Sequence, residues 1–281
     1  VEGKELKITL LADDSTCFID GSANSLKSLF DTIGSFSESS GCKLNISKSE
    51  AIWIGSLKGS QIFPFSENGL KWNKCTFKTL GINFSLNLSQ LYDLNHKLKL
   101  KSIENTLNCW RARNLSLVGK ICVIKTLLLP QLLYYFSVLC IRIPKIFFRQ
   151  LNTMLYKFIW SGGSDRVKRH LMCNDLSLGG LKMTDPYTFS IAQNMSWVKM
   201  LLDDNYESMW KSIEISILNK FCDRKDILWK TYAPENILNK LNSCQLAESL
   251  RTWYVFREKS AKIEFNTVFS SIVSCQCLWF N

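Results

Sequence analysis

Leu6, Ile8 and Leu10 alternate with polar residues, Asp13 and Asp14 interrupt, and a second apolar run of Cys17, Phe18 and Ile19 follows. Period-two alternation, a short polar break and renewed β-favouring residues predict a β-hairpin with both carboxylates at its tip. The period then changes. Leu26, Leu29, Phe30, Ile33 and Phe36 recur at helical spacing, Ser22 or Asn24 can cap the start, and Ser39-Ser40-Gly41 stops it. This predicts an amphipathic helix laid on a sheet. Residues 43–50 form a polar loop leading into Ala51-Ile52-Trp53-Ile54, which reads as a strand. Residues 55–69, with Gly, Ser and Pro, read as a loop, and Leu70-Lys71-Trp72, Cys75 to Lys78 and Leu80-Gly81-Ile82 as short strand-like runs.

From about Leu91 to Trp160 the pattern is helical. Leu94, Leu98, Lys101 and Asn105 mark one helix, whose apolar face includes Leu91, Ile103 and Leu107. Ser116 caps a second, with Val118, Ile121, Ile124, Leu127 and Leu128 in register until Pro130 kinks or ends it. Pro144 starts a third that carries Phe147, Phe148, Leu151, Met154, Leu155 and Phe158. Thr126 to Ile141 is a run of 16 residues without a charge, open to a membrane-spanning reading or to a buried helix pair. A span needs about 20 apolar residues, and this run is bounded by Lys125 and Arg142 and interrupted by Pro130 and Gln131, so the buried pair is expected. Beyond it, Met195 to Met200 and Trp210 to Glu214 continue as helices, and Trp229, Trp253, Tyr254 and Phe256 read as core positions of a small α-rich tail.

Composition narrows the class. The chain has 281 residues, 46% hydrophobic, ample for a buried core in one or two domains. Its 11 Cys are odd in number and lack any C-x-x-C pair, Cys275-x-Cys277 being the closest spacing. Reduced thiols of an intracellular protein, nuclear or cytoplasmic, fit better than a disulfide framework. Residue 1 is Val and the hairpin begins almost at once, the profile of a piece of something longer. The net charge is +11 and unevenly placed. Lys97 to Arg169 holds 14 Lys/Arg against Glu104 and Asp165, whereas the remainder holds 21 basic and 22 acidic residues. Such a block suits a polyphosphate partner; a solvated basic surface and an anionic membrane are the alternatives.

Adjacent carboxylates on a turn offer oxygen ligands to a hard divalent cation, or form a merely solvated turn. The surrounding residues favour the first. Leu11-Ala12-Asp13-Asp14-Ser15-Thr16 resembles the catalytic hairpin of reverse transcriptases of non-LTR (LINE-type) retrotransposons, with Leu11 where that family carries an aromatic. Gly41-Cys42-Lys43-Leu44-Asn45-Ile46-Ser47-Lys48-Ser49-Glu50 resembles the next motif. Phe77-Lys78-Thr79-Leu80-Gly81-Ile82 resembles the primer-grip hairpin, though it also reads as an ordinary β-hairpin. Trp110 to Lys120 with Ile124 to Gln131 is similar to the family's thumb, the longest match. Phe158-Ile159-Trp160, Arg166-Val167-Lys168-Arg169 and Leu178-Gly179-Gly180-Leu181 follow as in the post-thumb region. From about Cys222 the resemblance fades.

The resemblance implies an α+β fold: a partial reverse-transcriptase palm over residues 1–90, a helical thumb over 91–165, and a post-thumb α-rich region over 166–281. It implies that Asp13 and Asp14 are catalytic ligands of Mg²⁺, and that Lys48 is the acid protonating departing pyrophosphate. Phe77, Leu80 and Gly81 become the primer grip, Gly81 allowing close backbone approach. Trp110, Arg111, Arg113, Lys120, Arg166, Lys168 and Arg169 become nucleic-acid contacts, Lys120 first among them; Trp110 reads equally as a core anchor. The implied partners are an RNA template with its DNA primer and the parent polypeptide's upstream palm and fingers, with no membrane. A further metal-binding Asp and the fingers precede this hairpin in the family. The chain is therefore expected to be a fragment of an RNA-directed DNA polymerase, inactive alone; the alternative is a non-catalytic nucleic-acid-binding module from the same element.

Overall fold

The computed structural model describes residues 5–139, 141–221, 238–241 and 244–260. Among these residues three two-stranded sheets precede a succession of helices, an α+β fold. The chain forms two compact units, residues 1–96 and 97–281. Trp229 and the Cys275/Cys277 pair lie outside the described residues.

In the first unit, β1 (Ile8–Leu11) and β2 (Asp14–Cys17) form the expected antiparallel hairpin, prolonged by Phe18 N–H donating to the Lys7 carbonyl at 2.7 Å. Helix α1 (Ala23–Ser40) starts as read: the Ser22 hydroxyl accepts from Ser25 N–H at 3.1 Å, and Gly41 closes it at φ 74°. Its packing differs from expectation. Only Leu26 is fully buried and Phe36 is 61% exposed. The reason is the size of the sheets: strand pairs offer no broad face, and α1 meets Phe65 instead, Phe30 lying 5.1 Å from that ring.

Strand β3 (Glu50–Ile52) pairs in parallel with β4 (Lys71–Asn73), which the short apolar runs did not reveal. The connection between them is ordered by two indoles. Trp53 and Trp72 lie 4.5 Å apart, and their ring N–H groups donate to the carbonyls of Ile62 and Pro64, each at 2.8 Å. Strands β5 (Thr76–Thr79) and β6 (Ile82–Ser85) make the second antiparallel hairpin, in which Phe77 and Phe84 face each other and stack at 5.4 Å. Leu80-Gly81, read as part of a strand, is its turn. A π-turn over Tyr92–Lys97 follows, and the Asn95 side chain locks it to β6: it accepts from Asn83 N–H at 2.9 Å and donates to the Asn83 carbonyl at 2.8 Å.

The π-turn explains a displaced helix face. In α2 (Leu98–Arg111) the buried positions are Leu100, Ile103 and Leu107, whereas Leu98 is 58% exposed and Lys101 and Asn105 face solvent. One extra residue in the turn rotates everything after it by about 100° relative to an uninterrupted α-helix. Leu91, Ile103 and Leu107 are therefore buried as read, whereas an uninterrupted 3.6 period carried through 98, 101 and 105 marks exposed positions.

In the second unit the Ser116 hydroxyl accepts from Gly119 N–H at 3.1 Å and caps α3 (Leu117–Val123) as expected. Pro130 does not end the run. A π segment (Ile124–Leu128) carries it into α4 (Leu129–Val138), with Pro130 in the first turn of α4. The wider turn accommodates a ring that lacks an N–H and crowds the carbonyl four residues back. The expected helix pair is thus one 22-residue run, Leu117–Val138, the one described helix long and apolar enough to cross a membrane. Its stripe of Ile121, Ile124, Leu128, Leu132 and Phe136 is buried in protein, α3 packing on α5 and α4 on α7.

Helix α5 (Lys145–Ile159) starts directly after Pro144 and buries Phe147, Phe148, Leu151, Leu155 and Phe158 at helical spacing. Phe136, Phe147 and Phe158 are among the most completely buried side chains, and truncating such a residue to Ala costs about 3–5 kcal/mol. Helix α6 (Arg169–Cys173) is one short turn, α7 (Pro186–Leu202) is capped by Asp185, and α8 (Met209–Asn219) follows. Helix α9 (Cys244–Ser260) packs along α7, where Trp253 and Tyr254 are buried core positions as read and Phe256 is partly buried against them.

Candidate functional site

The carboxylate hairpin turns on Ala12-Asp13, with Leu11 opposite Asp14. Asp14 therefore opens β2 instead of sharing the tip, and Asp13 alone of the pair is a turn residue. Ala12 has φ 52°. A left-handed first central residue matches the right-handed twist of the strands, and for a residue with a Cβ it costs about 1–2 kcal/mol. Both carboxylates are solvent-exposed. Asp20, the next carboxylate along, is occupied locally: its Oδ1 accepts from Ser22 N–H at 2.9 Å, and that bond with the Ser25 and Ser22 hydroxyls holds its pKa below the usual value. Among the described residues no group of three or more His, Cys, Asp or Glu converges to hold a metal. The hairpin thus offers oxygen ligands of the kind a hard cation takes, two in number.

Lys48 ends a 3₁₀ turn (Ile46–Lys48) that Asn45 caps, its side chain accepting from Lys48 N–H at 3.3 Å. The lysine side chain is exposed, and the described structure gives it no ion pair with Asp13 or Asp14. At the second hairpin Leu80 and Gly81 have φ 48° and 78°, the positive pair of a type I′ turn. A Cβ at Gly81 would meet nothing within 4 Å, so backbone conformation, not close approach, explains this glycine. Leu80 is at the exposed tip, while Phe77 is half-buried against Phe84.

The basic positions fall into two kinds. Arg113 stacks over the half-buried Trp110, its guanidinium carbon 4.4 Å from the ring, which joins the two readings of that Trp. Arg111 donates to Asn108 Oδ1 at 2.9 Å, and both arginines are exposed. Arg166 and Lys168 lie on the exposed loop before α6. Lys120 differs. Its ammonium donates to the Ile159 carbonyl at 3.2 Å and to the Ser161 hydroxyl, and it sits 5.9 Å from the Phe158 ring. The expected first phosphate contact is an internal clasp on the end of α5. Arg169 is likewise engaged, through Nε to Asp165 at 2.7 Å and by stacking 4.4 Å over Tyr156.

The sequence did not reveal the cleft beside Arg169. It holds about 350 Å³. Helix α5 lines it with Asn152 and Tyr156, α6 with Arg169, His170 and Cys173, and the start of α7 with Asp185 and Thr188. Asp185 Oδ2 accepts from the Thr188 N–H and hydroxyl, both at 2.9 Å, and Oδ1 accepts from the Asn152 amide at 3.4 Å. Burial pushes the Tyr156 phenol and the Cys173 thiol above their usual pKa. Asp185-Pro186, a cap followed by a helix-starting proline, begins α7 at the edge of the cleft. No protein-family model matches the chain.

Proposed function

We propose that this chain is the C-terminal part of the reverse transcriptase of a non-LTR retrotransposon, unable to polymerise by itself and still able to bind nucleic-acid duplex. The observation that carries it is the succession along one chain of a strained two-carboxylate hairpin, a lysine turn, a type I′ hairpin and a helical block with a large basic excess. Bound Mg²⁺ would activate the primer 3′-hydroxyl and stabilise the leaving oxygen in the complete enzyme. Asp13 and Asp14 are the residues of this chain that would hold it, and Lys48 the proton donor. Two carboxylates leave most of an octahedral shell to other donors, which accounts for inactivity in isolation.

The duplex is held by backbone contacts from Arg111, Arg113, Arg166 and Lys168, whose side chains are exposed. Purified chain with primed RNA template, deoxynucleotides and Mg²⁺ tests both halves of the reading. No extension is expected, while duplex binding should weaken with salt at a log–log slope of about −0.9 per phosphate. Addition of a segment supplying fingers and the missing palm carboxylate should yield extension that Asp13→Asn abolishes. Extension by the chain alone, or salt-insensitive binding, overturns the corresponding half.

A further inference from the structure

We propose that the cleft between α5, α6 and α7 seats one unstacked nucleobase bearing an exocyclic amine, taken from a single-stranded stretch of nucleic acid; this rests on the nucleic-acid-binding reading above. At about 350 Å³ the cleft lies at the small end of ligand sites and suits a single nucleoside.

Its lining has acceptors to spare. Asp185 Oδ2 is saturated by Thr188, but Oδ1 has only the 3.4 Å contact with Asn152, near the limit of a hydrogen bond. With its amide nitrogen turned to Asp185, Asn152 keeps its own oxygen as an acceptor. Tyr156 is 4% exposed; its hydroxyl proton is shared between the Arg169 carbonyl at 3.4 Å and the Cys173 sulfur, so the phenol oxygen keeps its capacity to accept. A buried phenol and a carboxylate with an under-used oxygen, facing one cavity, call for a ligand that donates. An exocyclic amine brings two N–H groups, and a carboxylate accepting from a base amine is an established pairing.

Other ligands fit less well. A phosphate beside Asp185 would be repelled by its carboxylate, and the one arginine lining the cleft, Arg169, already has its Nε on Asp165 and its face on Tyr156. A metal is disfavoured because His170, Cys173 and Asp185 do not converge as a ligand group. A flat ring is preferred over an alkylammonium because the Arg169 guanidinium, stacked on Tyr156, forms a planar platform of the kind that bases stack upon. Arg169 and His170, at the exposed rim, then face the sugar and phosphate of the strand.

Free nucleosides test this without phosphate, so the basic surface does not contribute. Titration of the full chain with cytidine, adenosine and uridine, read by NMR at the Arg169 and His170 side chains, should show binding of the first two about tenfold tighter than uridine. Asp185→Asn keeps the helix cap, since Asn caps as well as Asp, but turns an amide donor into the cleft. It should remove the preference or reverse it towards uridine, with an unchanged melting temperature. Equal binding of all three nucleosides, no shift at Arg169 or His170 up to the solubility limit, or a preference that survives Asp185→Asn overturns the proposal. Duplex binding measured in parallel separates the two readings: its persistence with no nucleoside response sinks the cleft alone, and its loss with the response intact sinks the duplex reading alone.

Discussion

The Lys120 ammonium lies 3.2 Å from the Ile159 carbonyl, joining the first turn of α3 to the last turn of α5 across 39 residues of chain. A cation at a helix C-terminus meets both an orphan carbonyl and the negative end of the dipole. Lys120→Met keeps the apolar stem over Phe158 and removes the charge. It should lower stability by about 1–2 kcal/mol, less than a fully buried charged hydrogen bond because the site is part-exposed. Urea melts measure that loss. The same variant should leave the salt slope of duplex binding unchanged, while Arg111→Ala with Arg113→Ala flattens it. An equal slope change in both would return Lys120 to the phosphate contacts.

The type I′ turn at Leu80-Gly81 contains a branched side chain where the backbone favours Asn or Gly. Leu80→Asn should therefore stabilise the β5–β6 hairpin by about 0.5–1 kcal/mol, seen as slower amide exchange at Phe84. If Leu80 does contact a primer, the same substitution weakens binding to primed template as the hairpin becomes firmer. Strain that improves when relieved while binding worsens is the pattern expected of a functional turn.

What could be read in the sequence was local, and what could not was a matter of register or partnership. The hairpin through Asp13, the Ser22 and Ser116 caps, and the apolar stripe of α5 each depend on residues within a few positions, and they stand as read. Ile103 and Leu107 on the face of α2 stand as read, but Leu98 was placed there in error because a π-turn leaves no mark in a hydrophobic pattern; it shows only in the burial of Leu100 in place of Leu98. The parallel pairing of Glu50 with Lys71 was missed because a three-residue strand carries no period to count. The carboxylate pair was recognised by resemblance, yet its split between turn and strand came from the register of Leu11 with Asp14. The cleft at Tyr156 draws on three helices with its lining spread over residues 152–188, and no short sequence window contains it.

Gly180 is a glycine required by space. A Cβ there would lie 2.0 Å from the Asn174 carbonyl oxygen, and the obstacle is backbone that cannot swing aside. Gly180→Ala should cost at least about 1–3 kcal/mol and disturb the loop in which Lys182 N–H donates to Asn174 at 2.9 Å. Gly179→Ala is the contrast, since its Cβ would meet open space and only its φ of 75° resists, a cost of about 1 kcal/mol. Thermal melts of the two variants should rank them in that order. The reverse order would mean that the loop relaxes freely around Asn174.

His96 sets a pH dependence. Its ring is fully buried, stacked 6.1 Å from Tyr92, and burial lowers its pKa from 6.5 to about 4. In the unfolded chain the imidazole takes a proton as pH falls through about 6.5, whereas the folded protein resists until about 4. The unfolded state therefore binds more protons in that window, and stability is present above about pH 6.5 and lost as pH falls towards 4. A displacement of this size corresponds to roughly 3 kcal/mol as a ceiling. His96→Phe retains a planar ring beside Tyr92 and cannot titrate. Denaturant melts from pH 7 to pH 4 should show the wild-type chain losing stability faster than the variant, whatever their difference at pH 7. The comparison isolates His96 because the carboxylates titrating in the same range are common to both proteins. Parallel curves across that range would show that His96 takes its proton without unfolding, and that its burial is looser than the fold indicates.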